Sequence, residues 1–159
     1  MEDKLYFLQL VKEFNSVMGK ESSNRTKPSL GTDNDQAFIY NFILEELNEY
    51  MEACREDDIV GIADALGDIM YVLCGGILMH GLQDKFINIY DEIQASNMSK
   101  VCKTEEEAIK TAEIRSDQQG TPCHYEKIGE YYVVKRTSDN KVMKSISYFA
   151  PNLEQFFAK

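Results

Sequence analysis

Residues 59–79 read IVGIADALGDIMYVLCGGILM. The stretch is almost wholly apolar or small, lacks proline and follows the acidic run Glu56-Asp57-Asp58. It predicts a long helix that is apolar on every side, and such a helix is a buried one. It is long enough to span a bilayer, but Asp64 and Asp68 lie near its middle. Each would cost roughly 2.5–3.5 kcal/mol at that depth, so the reading is a buried helix of a soluble bundle. The i,i+4 spacing points both carboxylates the same way. A buried carboxylate must be protonated, paired or metal-bound. No Lys or Arg occurs from Glu56 through Gln83. A divalent cation is therefore the natural partner, with a backbone contact or a distant lysine as the alternative.

The preceding helix, expected over about residues 35–55, carries Glu45-Glu46-Leu47-Asn48-Glu49 and then Glu52. At about 100° per residue, Glu45, Glu49 and Glu52 fall within about 60° of arc, and Glu46 about 60° beyond Glu49. Phe38 and Phe42 share that face, and Ile43, Leu47, Tyr50 and Cys54 take the opposite one. Alone, such a stripe reads as a solvated acidic face whose like charges repel by a few tenths of a kcal/mol per pair. Packed antiparallel against the next helix, it would set Glu46 and Glu49 opposite Asp64 and Asp68. That cage suits one or more Mg²⁺ ions, hard cations that bind carboxylates and polyphosphates.

Outward from this pair, residues 2–19 predict a helix, with Leu5, Leu8, Val11, Phe14 and Val17 at intervals of three and Gly19 closing it. The polar connection at 20–35 is long for a structureless loop, which points to function or disorder. Gly81 ends the third helix, and a fourth is expected over 83–95. Thr104 and Glu107 form a capping-box pattern before a short helix at 105–116. Three short strands are expected at 125–128, 131–136 and 141–146, then a last helical turn at 153–157. The fold class is mainly α. A bundle of about four long helices at 1–100 carries a small α+β appendage at 101–159.

The chain has 159 residues and a formal charge of −10. An acidic surface of this size gives no general attraction to nucleic acid polymers or anionic membranes, although divalent ions reverse the sign locally. Cys54, Cys74, Cys102 and Cys123 form no CxxC pair. With no secretory leader in the opening residues, they are expected to be reduced thiols of a cytoplasmic protein. His80 and His124 are too far from any cysteine pair to suggest zinc.

The motif order carries a resemblance. Glu45-Glu46-Leu47-Asn48-Glu49 is followed by Asp64-Ala65-Leu66-Gly67-Asp68, by Ser96-Asn97-Met98-Ser99-Lys100, and by a tail with Lys141-Val142-Met143-Lys144 and Phe149-Ala150-Pro151-Asn152-Leu153. This order resembles the MazG-like, or phosphoribosyl-ATP-pyrophosphohydrolase-like, all-α nucleotide pyrophosphohydrolases. The resemblance implies hydrolysis of a nucleoside triphosphate to monophosphate and pyrophosphate, with Mg²⁺ (or Mn²⁺ in its place) as cofactor. It implies a homodimer or a dimer of dimers. It makes Glu46, Glu49 and Asp68 metal ligands, and Asn97 and Lys100 substrate contacts. Many members carry ExxD on the third helix. Here the Glu position falls on Ala65, and Asp64 is the replacement ligand. Glu45 is the candidate general base. Nucleotide-pool house-cleaning is the expected role. The alternatives are the phosphoribosyl-ATP pyrophosphohydrolase of histidine biosynthesis, and a catalytically silent helical module that binds nucleotide or metal.

Overall fold

The computed structural model describes residues 5–157, so the part of the first expected helix that precedes Leu5 lies outside the described residues. The elements run α1 (Tyr6–Val17), a 3-10 turn (Glu21–Ser23), α2 (Asp33–Arg55), α3 (Ile59–Met79), α4 (Gln83–Met98), α5 (Glu105–Gln119), β1 (Cys123–Ile128), β2 (Tyr131–Arg136) and a closing 3-10 turn (Glu154–Phe156). The fold is mainly helical with a small two-stranded sheet, as the sequence predicts. The chain divides into two compact units, Met1–Ile87 and Asn88–Lys159, with the division inside α4.

In the first unit α2 and α3 pack along their lengths, and α1 lies on α3. Helix α2 starts at Asp33 because Thr32 and Asp35 form a reciprocal capping box. The Thr32 hydroxyl accepts from the Asp35 N–H at 3.2 Å, and the Asp35 carboxylate accepts from the Thr32 N–H at 2.8 Å. Asp57, at φ 54°, turns the chain, and the Asp58 carboxylate accepts from the Val60 N–H to start α3. At one end of the pair, a Cβ on Gly61 would come within 3.0 Å of the Ala53 Cβ; at the other, a Cβ on Gly76 would touch Ile39 at 3.4 Å. These contacts set the register of the two helices.

The polar connection after α1 is structured rather than disordered. Arg25 donates to the Met79 carbonyl at 2.6 Å and pairs with Asp35 at 2.8 Å, while its own N–H bonds the Leu78 carbonyl. The last carbonyls of α3, which have no partner inside the helix, are thus satisfied from the connection. Gly81, at φ +66°, passes so close to Lys27 that a Cβ would lie 2.1 Å from the Lys27 carbonyl oxygen. Thr32 N–H, the Thr32 hydroxyl and Arg25 all bond the Asp35 carboxyl, holding it at about 2. The cluster of Leu8, Val11, Cys74 and Leu78 joins α1 to α3.

One expectation for α3 needs correction. Its inner side is buried, but only 28% of its most apolar window is buried within the chain. Leu66, Met70 and Leu73 are exposed, and so are Asp64 and Asp68. Among the described residues α1, α2 and the connection at 20–32 pack on this helix, and the side with Leu66, Met70 and Leu73 stays open.

In the second unit, β1 and β2 pair antiparallel from Cys123↔Arg136 to Ile128↔Tyr131, with Gly129 at φ +61° in the two-residue turn. Helix α5 packs on both strands around Cys102, Ala108, Ala112, Val134 and Met143. The Thr104 hydroxyl caps Glu107, but the Glu107 side chain reaches the Lys103 N–H rather than that of Thr104. The expected third strand at 141–146 does not form; a single bridge, Lys135↔Val142, remains. Beyond it Ser145 is fully buried. Its hydroxyl donates to Glu107 and its N–H bonds the Lys100 carbonyl at 3.0 Å, which pulls the chain off the ladder.

Candidate functional site

The inner stripe of α2 runs Asp35, Ile39, Ile43, Glu46, Tyr50, Ala53, all buried or half-buried. The spacing of four, four, three, four, three is that of a helix seam against a neighbour. Glu46 therefore lies on the half-buried seam, apart from the solvated stripe. Leu47, expected on the face opposite the carboxylates, is 44% exposed. Glu45, Glu49 and Glu52 remain in solvent, as expected of the acidic face.

Ala53 faces Gly61, and Ile39 faces Gly76. The same register sets Glu46 level with Asp68. The electrostatics agree. Burial pushes the Glu46 carboxyl above its ordinary range, then Asp68 does so most among its neighbours, followed by Glu49, Glu45 and Asp64. All four carboxylates that the sequence groups with Glu46 thus act against its ionisation. Glu46 Oε2 is buried and has no hydrogen-bond partner. A buried acceptor left unmatched costs about 1–3 kcal/mol, more if charged, so this oxygen invites a cation. Among the described residues no three acidic, histidine or cysteine side chains already converge as a metal cage. The other four carboxylates are exposed. A hard divalent cation fits this donor set, which is all oxygen with one acceptor fixed by packing. Ala65 is 2% exposed, so the position where the resemblance would put a Glu is filled by packing and offers no ligand.

A cavity of about 600 Å³ opens along the same helix pair. Phe42 lies one turn before Glu46, and Val72 one turn after Asp68. Both line the cavity, with Phe14, Phe38 and Tyr71 supplying further rings and Lys20 and Asn34 polar groups. Phe38 and Phe42 have ring centroids 4.5 Å apart and are 46% and 39% exposed. They are cavity walls rather than core. Sequence reading singled out these two but missed Phe14, Tyr71 and Lys20. Phe14 and Tyr71 meet edge to face at 5.8 Å, a contact that needs the α1–α3 packing to be known.

Asn97 and Lys100 lie in the second unit, at the end of α4 and just after it. The Lys100 Nζ donates to Asn97 Oδ1 at 2.7 Å. The structure brings these two together with each other.

A family model described as phosphoribosyl-ATP pyrophosphohydrolase matches residues 11–97, more than half of the chain. The match takes in α2, α3, all the clustered carboxylates and Asn97; Lys100 and the tail lie beyond it. No curated protein matches the chain.

Proposed function

The chain belongs to the phosphoribosyl-ATP pyrophosphohydrolase family and is a hydrolase of phosphoanhydride bonds, and from that premise we propose that it is a Mg²⁺-dependent nucleoside triphosphate pyrophosphohydrolase. It would convert a (d)NTP and water to the (d)NMP and pyrophosphate, in nucleotide-pool house-cleaning. The observation that carries the proposal is the unpartnered Glu46 oxygen, whose carboxyl is raised by four neighbouring carboxylates, on a helix pair that also lines an aromatic cavity.

Glu46, Glu49, Asp64 and Asp68 would hold the ion, with Mn²⁺ able to replace Mg²⁺. Bound there, the ion would neutralise phosphate charge and acidify the attacking water. Glu45, exposed one residue before Glu46, is the group proposed to take the proton. Lys100 and Asn97 would hold phosphate oxygens by charge-assisted and neutral hydrogen bonds. The cavity's rings offer stacking faces for a base, and its volume lies in the range of small-molecule sites.

The exposed apolar side of α3, with Leu66, Met70 and Leu73, supports a homodimer or a dimer of dimers that covers it. Sedimentation at micromolar concentration should find no monomer-only species. The family model's own description keeps phosphoribosyl-ATP as a second candidate substrate. One assay separates the readings. The full chain with Mg²⁺ is incubated with a panel of (d)NTPs and with phosphoribosyl-ATP, and products are scored as pyrophosphate or orthophosphate. Pyrophosphate from a (d)NTP supports the proposal. Turnover of phosphoribosyl-ATP alone supports the histidine-pathway reading, and no turnover supports a silent module.

A further inference from the structure

The tail after β2 folds onto the end of α4 through a set of specific hydrogen bonds. The Ser96 hydroxyl donates to the Phe149 carbonyl at 2.9 Å, and the Phe149 N–H bonds the Ser99 hydroxyl at 3.2 Å. The Ser145 N–H bonds the Lys100 carbonyl at 3.0 Å, and Arg115 holds the Lys144 carbonyl at 2.8 Å. Ser96 and Ser145 are buried, and the stretch 144–149 is pinned at both of its ends. This stitching sets Lys144 and Tyr148 beside Asn97 and Lys100. The Lys144 Nζ stands 4.0 Å from the Tyr148 ring centroid, and the Lys100 Nζ bonds Asn97.

The charge here is anomalous for a chain of net charge −10. The ion pairs among the described residues engage Arg25, Lys135 and Arg136; neither Lys100 nor Lys144 has a carboxylate within pairing distance. Both lysines act on the Tyr148 hydroxyl and neither is compensated by a carboxylate, an arrangement that suits a bound anion. The Tyr148 hydroxyl interacts with Lys144 and Ser96, and its pKa is drawn down by those contacts and by both lysines. The group thus offers two ammonium ions, a phenol and an amide, donors suited to an anion with several oxygens.

We propose that Lys144 and Tyr148 join Lys100 and Asn97 in one subsite that binds the phosphates of substrate and the pyrophosphate product. The C-terminal segment then has a binding role as well as a structural one. The inference rests on the pyrophosphohydrolase reading and extends it to residues beyond the family match, which ends at Asn97.

The probe is inorganic pyrophosphate, titrated calorimetrically into the full chain in EDTA and used as a product inhibitor with Mg²⁺ and the best (d)NTP. Loss of one charge-assisted hydrogen bond should weaken pyrophosphate binding about tenfold in Lys144→Met, with KM raised alike and kcat within about twofold. Lys144→Arg should restore much of the affinity, and Tyr148→Phe should weaken it less. Lys141→Met, an exposed lysine of the same tail, should change nothing. Wild-type affinity and KM in a folded Lys144→Met protein would overturn the subsite while leaving the hydrolase intact. A wild type that neither binds pyrophosphate nor cleaves any nucleotide would overturn both.

Discussion

Glu46 on α2 stands level with Asp68 on α3, and after its own burial Asp68 is what most raises the Glu46 carboxyl above the ordinary range. A half-buried acid on the α2–α3 seam thus has an exposed acid as its strongest charged neighbour. The pair costs stability in the bare chain and becomes useful when a cation joins it.

The sign of that cost gives a pH prediction. A carboxyl with a raised folded pKa contributes stability that is fully present below its unfolded value and is lost as pH rises through its folded value. The bare protein in EDTA should therefore lose stability as pH rises above 4.5, the ordinary value for a glutamate. Glu46→Gln should remove this dependence and melt at or above wild type at pH 7. A Glu46→Gln protein that melts well below wild type in EDTA would show that the ionised carboxylate is a structural partner.

Ala65→Glu recreates the family's usual ExxD spacing, but at a position that is 2% exposed. Forcing an unpaired carboxylate into a packed seam should cost about 3 kcal/mol or more. Thermal melts in EDTA should show a fall of several degrees. An unchanged melting temperature would mean that the seam has room for a fifth ligand and that Asp64 is no replacement.

Phe42→Ala should separate binding from folding. The ring is 39% exposed and lines the cavity. A base stacked on it is worth about 1–3 kcal/mol, so KM should rise about tenfold while kcat changes little. A melting temperature that collapses with unchanged KM would return Phe42 to the core.

Arg25 and Asp35 tie the connection after α1 to the end of α3. Arg25→Ala should lower stability by about 1–3 kcal/mol, since it frees the Met79 carbonyl and unpairs Asp35. The Asp35 carboxyl, depressed from 3.8 to about 2, gives stability that is present above pH 3.8 and lost as pH falls through 2. Asp35→Asn should flatten the acid limb of a melting curve between those values, and an unaltered limb would contradict the assignment.

Helix boundaries were legible where side chains mark them. Gly81 ends α3 and Asp58 begins it, as the punctuation of the chain suggests. Thr32-x-x-Asp35 starts α2 two residues before the sequence reading placed it, because an Asp in the last place of a capping box is easily passed over. The sequence set Glu46 and Glu49 together opposite Asp64 and Asp68; that Glu46 is half-buried while Glu49 stays exposed was not legible, since both are glutamates on one acidic stripe. The place of Glu46 in the Ile43–Glu46–Tyr50 seam emerges only with α3 packed against it. The false strand at 141–146 has the residue types of a strand, but buried bonds from Ser145 to Glu107 and Lys100 outweigh further ladder pairing. The juxtaposition of Lys144 with Lys100, which are far apart in sequence, depends on those same bonds.

The most direct test of the central claim is a set of four thermal melts: wild type and Asp68→Asn, each in EDTA and in excess Mg²⁺. The substitution keeps the shape and removes one negative charge from beside Glu46. If Asp68 helps hold the ion, the variant melts at or above wild type in EDTA and loses the Mg²⁺-induced rise that wild type shows. A variant that melts far below wild type in EDTA, yet gains the full wild-type increment from Mg²⁺, would contradict the metal site and the mechanism built on it.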